Sequence, residues 1–100
     1  MKVRKVVNGK TCSFALSGKF TFADHQSYRQ IIDDIKSKNF QVVNLDFKEV
    51  EFLDSAALGM ILLSREEANK NEVELVLLSP VGHVQKMFQL SDFYSMFNIK

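Results

Sequence analysis

The chain has one cysteine, one proline, four glycines and no tryptophan, and its thirteen Lys and Arg are nearly balanced by twelve Asp and Glu. Each scarcity excludes something. Cys12 alone forms no intramolecular disulfide, and beside Phe14 in a strand-like segment it reads as a small buried hydrophobe. That usage fits a reducing compartment, and a cytoplasmic location is the expectation. The opening Met-Lys-Val-Arg-Lys lacks the apolar core of a secretory signal, and no apolar run reaches membrane-spanning length, so no membrane association is expected. A net charge of +1 supplies no global field for nucleic acid. The first twenty residues do carry five Lys or Arg and no acid, which reads as one basic pair of strands.

Catalytic and ligand-binding signatures are also sparse. His25 and His83 fall on different helical patterns, and Cys12 has neither a local histidine nor a helix N-terminus to activate it. Gly18, Gly59 and Gly82 are isolated, so no glycine-rich phosphate cradle forms. Cys and His ligand spacing is missing. Asp46, Glu49, Glu51 and Asp54 could gather around a divalent cation, but their spacing matches no known loop, and solvated loop carboxylates plus a helix cap explain them better. No enzyme activity, metal or cofactor is expected.

What remains is a well-patterned fold. An apolar fraction of 46% with nine phenylalanines suits one globular domain over residues 1–100. Strands at 3–7 and 11–17 flank Asn8-Gly9, a dipeptide that adopts the positive φ values of a tight hairpin turn. Thr21 and Asp24 resemble a capping pair, after which His25, Tyr28, Ile31, Ile32 and Ile35 mark an amphipathic helix over about 22–38. Val42 to Phe47 and Glu74 to Leu78 read as parallel strands, the first covered on both faces by crossover helices. Between them a helix spans Ser55 to Lys70. Ser79 and Pro80 open a third helix with Val81, Val84, Met87 and Phe88 inward, and Met96 to Ile99 form a short last strand. The order β-β-α-β-α-β-α-β predicts a single α/β domain, its mixed sheet mostly parallel, antiparallel only at the hairpin and flanked by helices.

The most informative stretch is Phe52 to Leu63, where a strand-like approach meets Asp54-Ser55 and then an apolar helix. Side-chain oxygens there can cap free amides of the first turn, with Asp54 and Ser55 the expected caps. Ala56 lies in that turn, where the helix end tolerates an added anion. Leu58, Ile61, Leu62, Arg65 and Ala68 mark the expected core-facing stripe. Ala56, Met60, Leu63 and Glu67 form a second stripe turned away from it, and Ala56, Met60 and Leu63 are the expected partner-binding residues.

Gly18-Lys19-Phe20-Thr21, Val43-Asn44-Leu45-Asp46, Phe52-Leu53-Asp54-Ser55-Ala56-Ala57-Leu58-Gly59 and Leu78-Ser79-Pro80 with Val84 to Phe88 together resemble the STAS domain of anti-sigma factor antagonists. The resemblance covers nearly the whole chain and is most specific at the third segment. It implies that Asp54, Ser55, Ala57, Leu58 and Gly59 belong to a switch motif whose phosphoacceptor position holds Ala56, with Ser55 as the fallback acceptor. It further implies a regulator that in its unphosphorylated state binds a serine kinase or anti-sigma-like partner, with a metal-dependent serine phosphatase reversing the modification. Ala56 cannot enter that cycle. It is either a natural alanine that leaves a constitutive binder or an engineered replacement of serine, and the intact surroundings favour the latter. Thr21 departs from the acidic residue of many members. The alternatives are a structural STAS scaffold, a polysaccharide or biofilm regulator without a sigma factor, and a small nucleotide-binding protein.

Overall fold

The computed structural model describes residues 1–100. Strands β1 (Lys2–Asn8), β2 (Thr11–Phe20), β3 (Val42–Leu53), β4 (Glu74–Leu78) and β5 (Asn98–Ile99) form one sheet in the order β1-β2-β3-β4-β5. Helices α1 (His25–Lys36), α2 (Ser55–Lys70), α3 (Gly82–Leu90) and the single-turn α4 (Phe93–Met96) fill the connections. No helix is long and apolar enough to cross a membrane.

The hairpin forms at Asn8-Gly9, with Gly9 at φ 62°, and pairs β1 antiparallel to β2; every later pairing is parallel. The chain therefore crosses the sheet in one direction, and right-handed crossovers put successive helices on the same face. Contacts agree with this. Phe20 stacks on Tyr28 of α1, Phe47 meets Phe88 of α3 edge-on, and Lys5 of β1 pairs with Asp34 of α1 at 2.8 Å. Cys12, Phe14, Leu16, Val43, Leu45, Phe47, Leu75 and Leu77 are buried on that face.

The other face is largely uncovered, with Val76 of β4 the buried residue on it. Thr11, Ser13, Ala15, Val42, Asn44 and Asp46 are only half-buried, and Asn44 donates to Ser13 Oγ at 3.1 Å. The expectation that the β3 segment is covered on both faces is thus corrected: its period-two alternation is that of a one-sided sheet.

Three boundaries also move. β3 continues past Phe47 to Leu53, so Glu49 and Glu51 lie on a strand and not in a loop. β2 reaches Phe20 through irregular pairing near Gly18, whose φ is 87°. Ser79 takes a left-handed conformation, Pro80 is buried, and α3 starts at Gly82 with Val81 as its N-cap, so Ser79-Pro80 is a tight link and not a helix start. Val81 is exposed accordingly, whereas Phe93 and Phe97 join the core through rings that stack from Phe88.

Candidate functional site

β3 delivers the chain to the C-terminal edge of the parallel strands, where Asp54 turns it into α2. Asp54 is extended, at φ −99° and ψ 179°, and its Oδ1 accepts from the amide of Ala57 at 2.8 Å. Leu58 N–H closes the first intrahelical bond on Asp54 O at 3.2 Å. The N-cap is therefore Asp54. Of the two expected caps, Ser55 is instead the first helical residue and exposed, because the carboxylate one position earlier already holds the available amide.

The second oxygen of Asp54 accepts from Phe22 N–H at 3.2 Å, tying α2 to the 3-10 turn Phe22–Asp24 that leads into α1. That turn carries its own capping pair: Thr21 Oγ1 accepts from Ala23 N at 3.3 Å, and Asp24 Oδ2 accepts from Thr21 N at 2.9 Å. Asp24 Oδ1 also takes the N-terminal ammonium at 3.0 Å. Three segments remote in sequence thereby meet beside the start of α2.

Along α2, Ala57, Leu58, Ile61, Ser64 and Ala68 are buried. Ser64 donates to Ile61 O at 2.6 Å and meets the hydroxyl of Tyr28 at 2.8 Å, which joins α1 to α2. Burial pushes the Tyr28 hydroxyl pKa upward, and the bond to Ser64 offsets only part of that.

This packing revises both expected stripes. Met60 is only 9% exposed and belongs to the core, whereas Leu62 is 36% and Leu63 53% exposed. The cause is α1, which lies beside α2 and covers Met60, so one side of the second stripe is an internal helix contact. The outward surface next to Ala56 is made instead by Gly59, Leu62 and Leu63. Ala56 is partly exposed and packs against the core edge. A Cβ on Gly59 would meet nothing within 4 Å, so nothing within this domain requires glycine there, although glycine costs a helix about 1 kcal/mol relative to alanine.

Two aromatic pairs flank this surface. Phe22, 65% exposed, stacks on His25 at 5.2 Å, and His25 Nδ1 lies 3.1 Å from Phe22 O. Phe52 stacks on His83 at 4.9 Å, and His83 Nε2 lies 3.2 Å from Leu53 O. The sequence offered no signal for Phe22, placed Phe52 only in the approach to the helix, and set Val81 inward, whereas all three are exposed. The signal was in the topology: parallel β2 and β3 end together at Phe20 and Leu53, so the residues that follow them gather where α2 begins, joined there by His83 of α3. The acids at 46, 49, 51 and 54 do not converge. Asp46 accepts from Lys48 N at 2.9 Å and Asp54 is occupied by its two amides; no group of three His, Cys, Asp or Glu forms a metal-binding cluster.

A family model for the STAS domain matches residues 2–100. The chain belongs to the STAS domain family. A STAS-domain containing protein of Pseudomonas aeruginosa (strain UCBPP-PA14) is 29% identical over 92 residues, covering 92% of this chain and 90% of that protein. Among solved structures, the anti-sigma factor antagonist SpoIIAA in its unphosphorylated form superposes with a TM-score of 0.77 at 21% identity, covering 99% of this chain and 87% of that one. The Bacillus cell fate determinant SpoIIAA in the phosphorylated form gives a TM-score of 0.71 at 21% identity, covering 99% and 91%. These likenesses establish the fold. In this STAS domain the Asp54 to Gly59 segment forms the start of α2, with Ser55 and Gly59 exposed and Ala57 and Leu58 buried beneath them.

Proposed function

We propose that this STAS domain is a non-enzymatic regulator of anti-sigma factor antagonist type. In its unphosphorylated state it binds a serine kinase or anti-sigma-like protein through the start of α2. Position 56 is the switch point, and Ala56 holds the binding-competent form.

The observation that carries this reading is the division of labour between neighbouring residues. Asp54 performs the capping, so the side chain at position 56 has no capping role; it is partly exposed at the edge of the core and sits at the head of an apolar surface formed by Gly59, Leu62 and Leu63. A phosphate there adds about −1.5 to −2 charges at pH 7. A partner covering that surface must then desolvate a dianion or leave a gap, while the helix end itself tolerates the charge. Alanine keeps the surface apolar. In a serine form, a metal-dependent serine phosphatase restores the same state.

The decisive measurement is the affinity of a candidate serine kinase for the chain as it stands, for Ala56→Ser before and after phosphorylation, and for Ala56→Asp. Ala56 and unmodified Ala56→Ser should bind alike, and the two anionic forms should bind at least tenfold more weakly, a loss of about 1.4 kcal/mol. Equal binding by all forms overturns the reading.

A further inference from the structure

We propose that β1 is a docking edge for an extended acidic segment of a partner protein, which adds to the sheet as a further strand beside it. β1 has a neighbour on one side only, and all seven of its residues are exposed. Its outer edge offers unpaired backbone groups, the template on which strand addition operates.

The pairing register assigns its side chains to faces. Lys2, Arg4 and Val6 stand opposite Ser17, Ala15 and Ser13 on the uncovered face; Val3, Lys5 and Val7 stand opposite the buried Leu16, Phe14 and Cys12. Lys5 is already neutralised by Asp34 at 2.8 Å and lies over the ring of Phe40. Lys2 and Arg4 have no ion-pair partner. The nearest acids on their face, Asp46 and Glu49, belong to β3, about three strand spacings or ~14 Å from an added strand.

The edge thus presents two free cations on one face and exposed valines on both, with Val6 and Val7 each about half exposed. A strand that alternates acidic with apolar residues complements this pattern: its acids lie on the face of Lys2 and Arg4, and its apolar residues cover Val3 and Val7 on the other. A second copy does not complement it. Pairing two β1 edges places two sets of Lys2 and Arg4 on one face of a single ribbon, with no acid on either strand. No residue of this edge belongs to α2, and strand addition to it does not depend on whether position 56 is a switch.

The test uses a blocked seven-residue peptide alternating Glu and Val, its Lys and Val counterpart, and amide hydrogen exchange of the full chain. The acidic peptide should slow exchange along β1, its affinity should fall as salt is added, and the basic peptide should not bind. Lys2→Glu with Arg4→Glu should weaken the acidic peptide about tenfold and admit the basic one, while Lys10→Glu, outside the strand, should change little. Should the double variant misfold, the salt dependence measured on the unaltered chain reads the same charges. The proposal is overturned by protection away from β1, by equal binding of both peptides, by no protection at millimolar peptide, or by a dimer that protects β1 in the free protein. It is equally overturned if vesicles of phosphatidylcholine and phosphatidylglycerol capture the chain through Lys2 and Arg4 while the peptide does not.

Discussion

The carboxylate of Asp54 accepts from the amide of Phe22, 32 residues earlier in the chain, at 3.2 Å. The same group caps α2 through Ala57, so one side chain fixes both the start of the helix and the position of the exposed ring beside it. Asp54→Ala should remove both bonds. The expected cost is about 1–2 kcal/mol, read as a fall of roughly 4–15 °C in thermal midpoint for a domain of this size. Asp54→Asn keeps an oxygen for one amide and should lose less. If Asp54→Ala leaves the midpoint unchanged, the cap does not hold the junction.

Met60 and Leu63 separate the core from the candidate contact surface. Met60→Ala empties space beneath α1 and should cost about 2–5 kcal/mol. Leu63→Ala and Phe22→Ala alter exposed side chains and should change stability by no more than about 0.5 kcal/mol, while weakening the partner that recognises the start of α2. Chemical denaturation paired with binding measurements distinguishes the two classes. Full partner affinity in both exposed variants would move the contact surface elsewhere.

The contrast between these two residues also marks what the sequence makes legible. Local chemistry was readable: Asn8-Gly9 fixes a hairpin, Thr21 with Asp24 fixes a capping pair, and the alternation of strand and helix patterns implies parallel pairing with the hairpin as exception. The junction at Asp54 and the partly exposed Ala56 were readable for the same reason. What depended on neighbours was not. Met60 lies on an apolar stripe whose burial is decided by α1, and nothing in the period of α2 says that a second helix covers that side. Lys48 to Glu51 look like a loop because polar residues dominate them. They extend β3 because β2 is long enough to pair with it as far as Leu53, after β4 has ended opposite Asp46. Pro80 suggests a helix start, but the left-handed Ser79 and the burial of Pro80 spend that segment on turning the chain back over the sheet.

Tyr28 and Ser64 form a buried polar pair whose two members should not be equivalent. Tyr28→Phe leaves Ser64 still donating to Ile61 O, for a loss of about 1 kcal/mol. Ser64→Ala strands the tyrosine hydroxyl without a partner in the core, where an unsatisfied group costs about 1–3 kcal/mol. Denaturant midpoints should therefore rank Ser64→Ala below Tyr28→Phe, and the reverse order would mean that the hydroxyl finds another acceptor.

The same tyrosine sets an alkaline limit. Burial raises its pKa in the folded state above the ordinary value of 10.0, so above that pH the unfolded chain holds fewer protons than the folded one. Its contribution to stability is complete below about pH 10 and shrinks as pH rises further. Tyr28→Phe should flatten the decline in unfolding free energy above about pH 10. An unchanged slope would mean that other groups control it.

An acid at position 56 tests whether the proposed switch acts on the surface or on the fold. The side chain there lies in the first turn of a sixteen-residue helix, where the partial positive charge of the helix end stabilises an anion by about 0.3–1 kcal/mol. Against that stands repulsion from Asp54, two residues before, whose oxygens already face the amides of Ala57 and Phe22. The two effects are of similar size and opposite sign, so Ala56→Asp should leave the thermal midpoint within a few degrees of the unaltered chain. A lost affinity in that variant then reports the desolvation of a charge at the contact surface. If Ala56→Asp instead melts the domain, loss of binding says nothing about recognition, and the switch would have to operate by unfolding the start of α2.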